Sequence, residues 1–331
     1  MKYIMIWPYG WFDYYMYQDL ITSKKITPYP LKKPYKSKVV NFIRRVHQSR
    51  KINKLIKLPY KEIWYASLFK LIDQDTCVMF DTGALSMVSL DFLKKIKSTG
   101  NNTKMVIIIA DSLHGSSEHI PRAIPNIFGF QWDAILSYDK NDCEEYGFQY
   151  LGATIYSKMN GIMPATNQSD LYFVGRNKAG RNEAVMELYK RCQENDVKTN
   201  FDLVDEPQNL KKMHLENQKG LNFHGKDLPY EKVISNILST NCILEMVAKG
   251  QNVQTARYYE TVCYNKKLLT NNPSIKELSF YNPKYMQYFE NVEDIDFEWV
   301  KRRETIDYHY NNEFSPNHIL EKLEKLFDNR D

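Results

Sequence analysis

The sequence predicts an α/β protein of two halves, each a parallel sheet wrapped by helices. Three observations carry this. Short apolar runs of strand length alternate with helical patterns along the whole chain. A polar, Gly- and Pro-containing stretch from Ser157 to Asp170 divides them into two series. The 331 residues, 43% hydrophobic, suffice for two cores of ordinary size.

In the first half, Tyr3–Trp7, Thr76–Phe80, Met105–Ala110 and Ala134–Ser137 are strand-like in length and bounded by turn or polar residues. Leu90–Lys97 is a helix between two of them. In the second half, Leu171–Val174 is a strand. A helix follows from Gly180, with Val185, Leu188, Tyr189 and Cys192 on one face. Asn200–Val204 is the next strand, and Tyr230, Val233, Ile234 and Ile237 mark another helical face. Cys242–Val247, Lys267–Thr270 and Met286–Phe289 complete the strands. A last helix has Ser315 as N-cap, Pro316 at its first position, and Ile319, Leu320, Leu323 and Phe327 as its stripe. The expected division is 1–160, 165–310 and a terminal helix at 315–331. Ligands of such sheets bind outside the carboxyl ends of the strands.

Charge is unevenly spread. From Thr22 to Lys61 there are thirteen Lys and Arg and no Asp or Glu, while the net charge of the whole chain is only +5. The remainder is therefore net acidic. Val39, Val40, Phe42, Ile43 and Val46 alternate there with Lys38, Arg44 and Arg45, which permits an amphipathic surface helix. The five cysteines are far apart and mostly inside apolar runs, so free buried thiols in a reducing compartment are expected. No apolar run approaches the roughly 20 residues of a membrane span, and the N-terminus is too short for a signal core. The expected location is cytoplasmic, peripheral to the inner face of the cell membrane.

Two segments suit a phosphorylated ligand. Gly175, Arg176, Lys178 and Arg181 follow the Leu171–Val174 strand and place cations at its carboxyl end. A solvated basic loop is the alternative, and neither a P-loop nor the dinucleotide glycine pattern is present. From Lys249 to Asn272 a glycine-containing loop leads into a short helix and a buried strand. The helix has Thr255 at its start and Arg257 and Glu260 one turn apart. Its N-terminus suits a phosphate, and its carboxylate suits sugar hydroxyls. The alternative for Arg257 and Glu260 is an i,i+3 surface pair worth about a few tenths of a kcal/mol. Between the two segments, Phe223-His224-Gly225 ahead of Tyr230 forms a loop able to frame a nucleobase.

The ordered set Tyr230-Glu231, Ile243-Leu244-Glu245, Gly250-Gln251, Thr255-Ala256-Arg257, Glu260 and Lys266-Lys267-Leu268-Leu269-Thr270-Asn271-Asn272 resembles the C-terminal half of bacterial GT-B glycosyltransferases. Within them it is similar to the lipopolysaccharide-core and capsular-polysaccharide group. Leu136 to Asp142, Tyr146-Gly147-Phe148 and Tyr156-Ser157-Lys158 are similar to that group as well. The resemblance covers about residues 130–290.

It implies two Rossmann-like domains with parallel sheets facing a central cleft and a nucleotide-sugar site on the second. Glu260 would bind the donor ribose. The Thr255 helix start, with Arg257 beside it, and the Gly175–Arg181 loop would face the diphosphate, and Tyr230 would stand beside the donor. Many retaining relatives carry a second glutamate upstream, and Asn252 stands in its place, so inverting and retaining outcomes both remain open. The first half would hold the acceptor and the base, drawn from Asp13, Asp111 and His114, each of which can equally be a structural cap or loop residue. No metal and no cofactor are expected, and UDP is the donor nucleotide on base rate.

The expected function is transfer of a sugar from a nucleotide-sugar to a hydroxyl of a lipid-linked surface glycan, with an anionic membrane surface as a further partner and nucleic acid not expected. The alternatives are a CDP-alcohol-dependent glycerophosphotransferase, and a non-catalytic protein binding nucleic acid or anionic membrane through Lys24–Lys61.

Overall fold

A computed structural model describes residues 1–8, 11–56, 58–59, 61–115, 119–153, 155–176, 181–205, 209, 217–247 and 254–328. The chain divides into two compact units. One is Met1–Ile155 with Pro316–Asp331, the other Tyr156–Ser315.

The first unit holds β1 (Lys2–Trp7), β2 (Ile26–Pro30), β3 (Thr76–Asp81), β4 (Lys104–Ile109), β5 (Ala134–Ser137) and β6 (Gln149–Tyr150). They form one parallel sheet in the order β2-β1-β3-β4-β5-β6. β1, β3 and β4 are buried on both faces, which is why they read as unbroken apolar runs. Ile4 pairs with Val78 and Val78 with Met105 across this centre. The Leu90–Lys97 helix starts where the Ser89 hydroxyl accepts from the Phe92 N–H at 3.3 Å and buries Phe92, Leu93 and Ile96. The Asn317–Asp328 helix groups with this unit and buries Ile319, Leu320, Leu323 and Phe327. It begins one residue beyond the expected Pro316.

The second unit holds β7 (Ser169–Arg176), β8 (Thr199–Val204), β9 (Leu221–His224), β10 (Thr240–Glu245), β11 (Lys267–Thr270) and β12 (Met286–Tyr288). Their order is β12-β11-β10-β7-β8-β9, again all parallel. Its core packs Leu171, Phe173, Phe201 and Leu203 against Val185, Leu188 and Cys192 of the Arg181–Glu194 helix. The chain reverses between β7 and β10, since β8 and β9 lie on one side of β7 and β10 to β12 on the other. That reversal is the switch point beside which α/β sheets bind ligands.

Three strands, β2, β6 and β9, were not expected. β2 carries Pro28 and Pro30, which argue against a strand interior, but β2 is an edge, where a missing N–H costs no ladder bond. Phe223 and His224 belong to edge strand β9, not to a loop. All five cysteines are free, and four are buried. No helix among the described residues is long and apolar enough to cross a membrane.

Candidate functional site

The second unit brings part of the expected donor site together at the carboxyl end of β10. Glu245, the last residue of β10, is 1% exposed. Its Oε1 accepts from the Thr255 hydroxyl at 2.6 Å and from the Thr255 N–H at 3.3 Å. Its Oε2 accepts from the Thr270 hydroxyl at the end of β11, at 2.7 Å. Burial pushes the Glu245 carboxyl up, against the pull of these hydrogen bonds. Asn271 completes the frame, its side chain accepting from the Val247 N–H at 2.8 Å and donating to the Val247 carbonyl at 3.2 Å.

Thr255 is the N-cap of the Ala256–Cys263 helix, its oxygen accepting from the Arg257 N–H at 3.2 Å. The Thr255 hydroxyl is thereby engaged twice within the protein. What this helix start offers a phosphate is its dipole and its backbone, not that side chain.

Arg257 and Glu260 sit one turn on, and they are not a surface pair. Their side chains are 13% and 0% exposed, with Arg257 Nη1 2.8 Å from Glu260 Oε2. Glu260 Oε1 accepts from the Tyr230 hydroxyl at 2.7 Å, and the Tyr156 and Tyr230 oxygens lie 2.9 Å apart. Burial pushes the Glu260 carboxyl up to about 7, against the lowering effect of Arg257 and of the Tyr230 hydrogen bond. Burial is the largest single influence on Arg257 and lowers its pKa, but Glu260 together with Tyr230, Tyr172 and Tyr156 overcomes it and the net shift is upward. Tyr230 is itself 1% exposed. This places Tyr230, Arg257 and Glu260 in one buried cluster, with Tyr230 and Arg257 bracketing the carboxylate.

The cation loop is described in part. Gly175 and Arg176 are the last two residues of β7. Arg176 is 71% exposed and forms a two-point pair with Asp227, Nε to Oδ1 at 3.0 Å and Nη2 to Oδ2 at 2.5 Å. Sequence reading missed Asp227 as its partner. Lys178 lies outside the described residues, as do Gly250 and Asn252, and Arg181 is described only as the first residue of its helix.

A polar cavity of about 820 Å³ opens along β8 and β9 of the same unit, lined by Asn200, Asp202, Asn222, His224, Lys232 and Asn236 among others. Asp202 is 4% exposed and accepts from Asn236 at 3.2 Å, with His224 Nε2 at 2.8 Å. Alternation along β9 turns Phe223 toward the core and His224 into this cavity.

In the first unit, Asp111 and His114 follow β4 and are both exposed. The acid that the imidazole meets is Glu145 of the Lys140–Tyr146 helix, with Nε2 to Oε2 at 3.0 Å, and the ring stacks on Tyr146. Asp13 belongs to the Trp11–Met16 helix, and its side chain lies outside what is described. Asp81 is an N-cap accepting from the Ala84 N–H.

No family model matches the sequence, and no curated protein matches it. Solved structures do. An α-glucosyltransferase in complex with UDP and a 13-mer DNA containing an HMU base aligns with a TM-score of 0.59 at 12% identity, over 98% of this chain and 99% of that one. An α-glucosyltransferase in complex with UDP aligns at 0.57 and 10% identity, over 99% and 100%. At such identity the likeness shows the fold. Two parallel six-stranded sheets covered end to end by these neighbours make it GT-B, as the sequence led us to expect.

Proposed function

We propose that the protein is a glycosyltransferase using a nucleotide-sugar donor, bound on the second unit. One observation carries the reading. At the carboxyl end of β10, beside the switch point, a capped helix start stands directly ahead of a buried carboxylate held by Tyr230 and Arg257. Neighbours of the same fold bind UDP, which supports UDP as the nucleotide. In this reading the Ala256–Cys263 helix start faces the diphosphate, Arg176 leaves Asp227 to meet phosphate, and Glu260, enclosed by Tyr230 and Arg257, takes the ribose hydroxyls when that enclosure opens. No group in the reading requires a metal. Cations and a helix dipole would stabilise the charge of the departing diphosphate.

The acceptor is proposed as a hydroxyl of a lipid-linked surface glycan of the lipopolysaccharide-core or capsular kind, served by the first unit, at the cytoplasmic face of the membrane. His114, hydrogen-bonded to Glu145, is proposed as the base, with Asp111 and Asp13 as the other candidates.

A thermal-shift screen of UDP, GDP, CDP and CMP tests the donor, since a ligand of the native state must stabilise it. UDP is expected to raise the melting temperature, and Glu260→Ala to abolish the rise. Stabilisation by CDP and CMP alone would point to the glycerophosphotransferase. No stabilisation by any nucleotide would overturn the transferase.

A further inference from the structure

The Lys38–His47 helix is built with its polar face inward. Ser37 caps it by accepting from the Val40 N–H. Asn41 accepts from the Tyr35 N–H at 2.8 Å and donates to the Tyr35 carbonyl at 2.6 Å. Arg44 donates to the Lys32 and Lys33 carbonyls and lies over the Tyr35 ring. The His47 ring contacts the Pro59 carbonyl at 2.7 Å and accepts from the Trp64 indole at 2.8 Å. Asn41, Arg44 and His47 recur at helical spacing, so these contacts fasten one side of the helix.

The opposite side is apolar and turned to solvent. Val39 and Phe42 are each 66% exposed, Ile43 50% and Val46 36%, and no residue of the helix is buried. These too follow the i, i+3, i+4, i+7 spacing. The surface continues through Leu55 at 87% and Ile56 at 67%. A helix of a water-soluble domain normally buries that stripe, and an exposed apolar patch marks an interaction surface. Around it Lys36, Lys38, Arg45 and Lys51 are exposed, within a stretch that has no acidic residue.

We propose that this face docks on an anionic lipid bilayer, with Val39, Phe42, Ile43 and Val46 entering the headgroup and acyl boundary and the surrounding cations meeting lipid phosphates. Charge and apolarity together select this occupant. A second copy of the chain would meet the stripe through a two-fold axis, which brings the same basic rim against itself. Nucleic acid would satisfy the cations and leave Phe42, Ile43 and Leu55 in water. An anionic membrane surface satisfies both. The docking needs neither donor nor acceptor, so it stands apart from the transferase reading.

The test uses the full chain, co-sedimented with phosphatidylglycerol/phosphatidylethanolamine vesicles and with phosphatidylcholine vesicles, without nucleotide. Wild-type protein is expected to partition onto the anionic vesicles and to be weakened by salt. F42S/I43S should lose at least about tenfold in partition, from the apolar area withdrawn. K38E/R45E should lose about fivefold or more for each cation removed. All four side chains are exposed, so both variants should keep the wild-type melting temperature and any nucleotide-induced shift. The proposal is overturned if wild-type protein stays in the supernatant, or if both variants bind as it does. It is overturned equally by self-association in lipid-free buffer that F42S/I43S abolishes, or by salt-steep binding to DNA without vesicle binding.

Discussion

Replacing Tyr230 by Phe removes one oxygen from the centre of the second unit and nothing else. The ring stays, so no cavity opens. What disappears is the 2.7 Å bond to Glu260 Oε1 and the 2.9 Å bond between the Tyr230 and Tyr156 hydroxyls, in a place where none of the three residues is more than 1% exposed. A hydrogen bond to a buried charged group contributes about 1.5–3 kcal/mol and a neutral one about 1 kcal/mol, so Y230F should cost about 3 kcal/mol at pH 8. For a unit of this size that is a fall of about 6–12 °C in melting temperature. The cost depends on pH in a defined direction. The Tyr230 bond favours the ionised form of a carboxyl whose pKa lies near 7. Below that value Glu260 is protonated and the bond is neutral on both sides, roughly half as strong. The Tyr156 bond is neutral at both pH values, so the penalty at pH 5 should shrink to about 2 kcal/mol. Thermal unfolding of wild type and variant at the two pH values measures this. A penalty that is absent at pH 8, or larger at pH 5, would refute the picture of Tyr230 as donor to a buried carboxylate.

Other expectations follow from the same frame. Because burial raises the Glu260 pKa from 4.5 to about 7, its contribution to stability is full below 4.5 and is lost as pH rises through 7. E260Q should flatten the stability–pH curve between those values by up to about 3 kcal/mol, read from denaturation midpoints at several pH values. T255A removes a helix cap and leaves Glu245 Oε1 with one donor in place of two. It should cost about 2 kcal/mol, with T255S restoring most of it in the same melts. Gly220 has φ +79°, and a Cβ there would overlap the Thr199 carbonyl at the head of β8. G220A should therefore cost about 2 kcal/mol or more, seen as a lower denaturation midpoint with the far-ultraviolet spectrum unchanged.

What could be read from the sequence was whatever local chemistry determines. Ala134–Ser137, Lys267–Thr270 and Leu90–Lys97 agree residue for residue, because each is a short apolar run or a capped amphipathic turn. β2 hid behind Pro28 and Pro30, whose tolerance depends on being at an edge, a property of the sheet and not of the segment. β9 hid because it is only four residues long, with Leu221 and Phe223 as its whole apolar side and Asn222 and His224 facing a polar cavity. The charged side chains were hardest. Arg176 reads as a free cation until Asp227, 51 residues away, is folded against it. His114 meets Glu145 across 31 residues. Arg257 and Glu260 were visible as a pair from their spacing, but only the tertiary fold decides that the pair is buried.

Glu245 and Asn271 have a consequence beyond the donor helix. Between them they clamp Val247 on one side and Thr255 on the other, using bonds that involve none of the intervening residues 248–254. The last residue of β10 and the first beyond β11 thus set where the chain leaves the sheet at Val247 and where it enters the Ala256–Cys263 helix at Thr255. The aim of that helix is inherited from the sheet, so a substitution at Glu245 would release it without altering any residue of the helix itself.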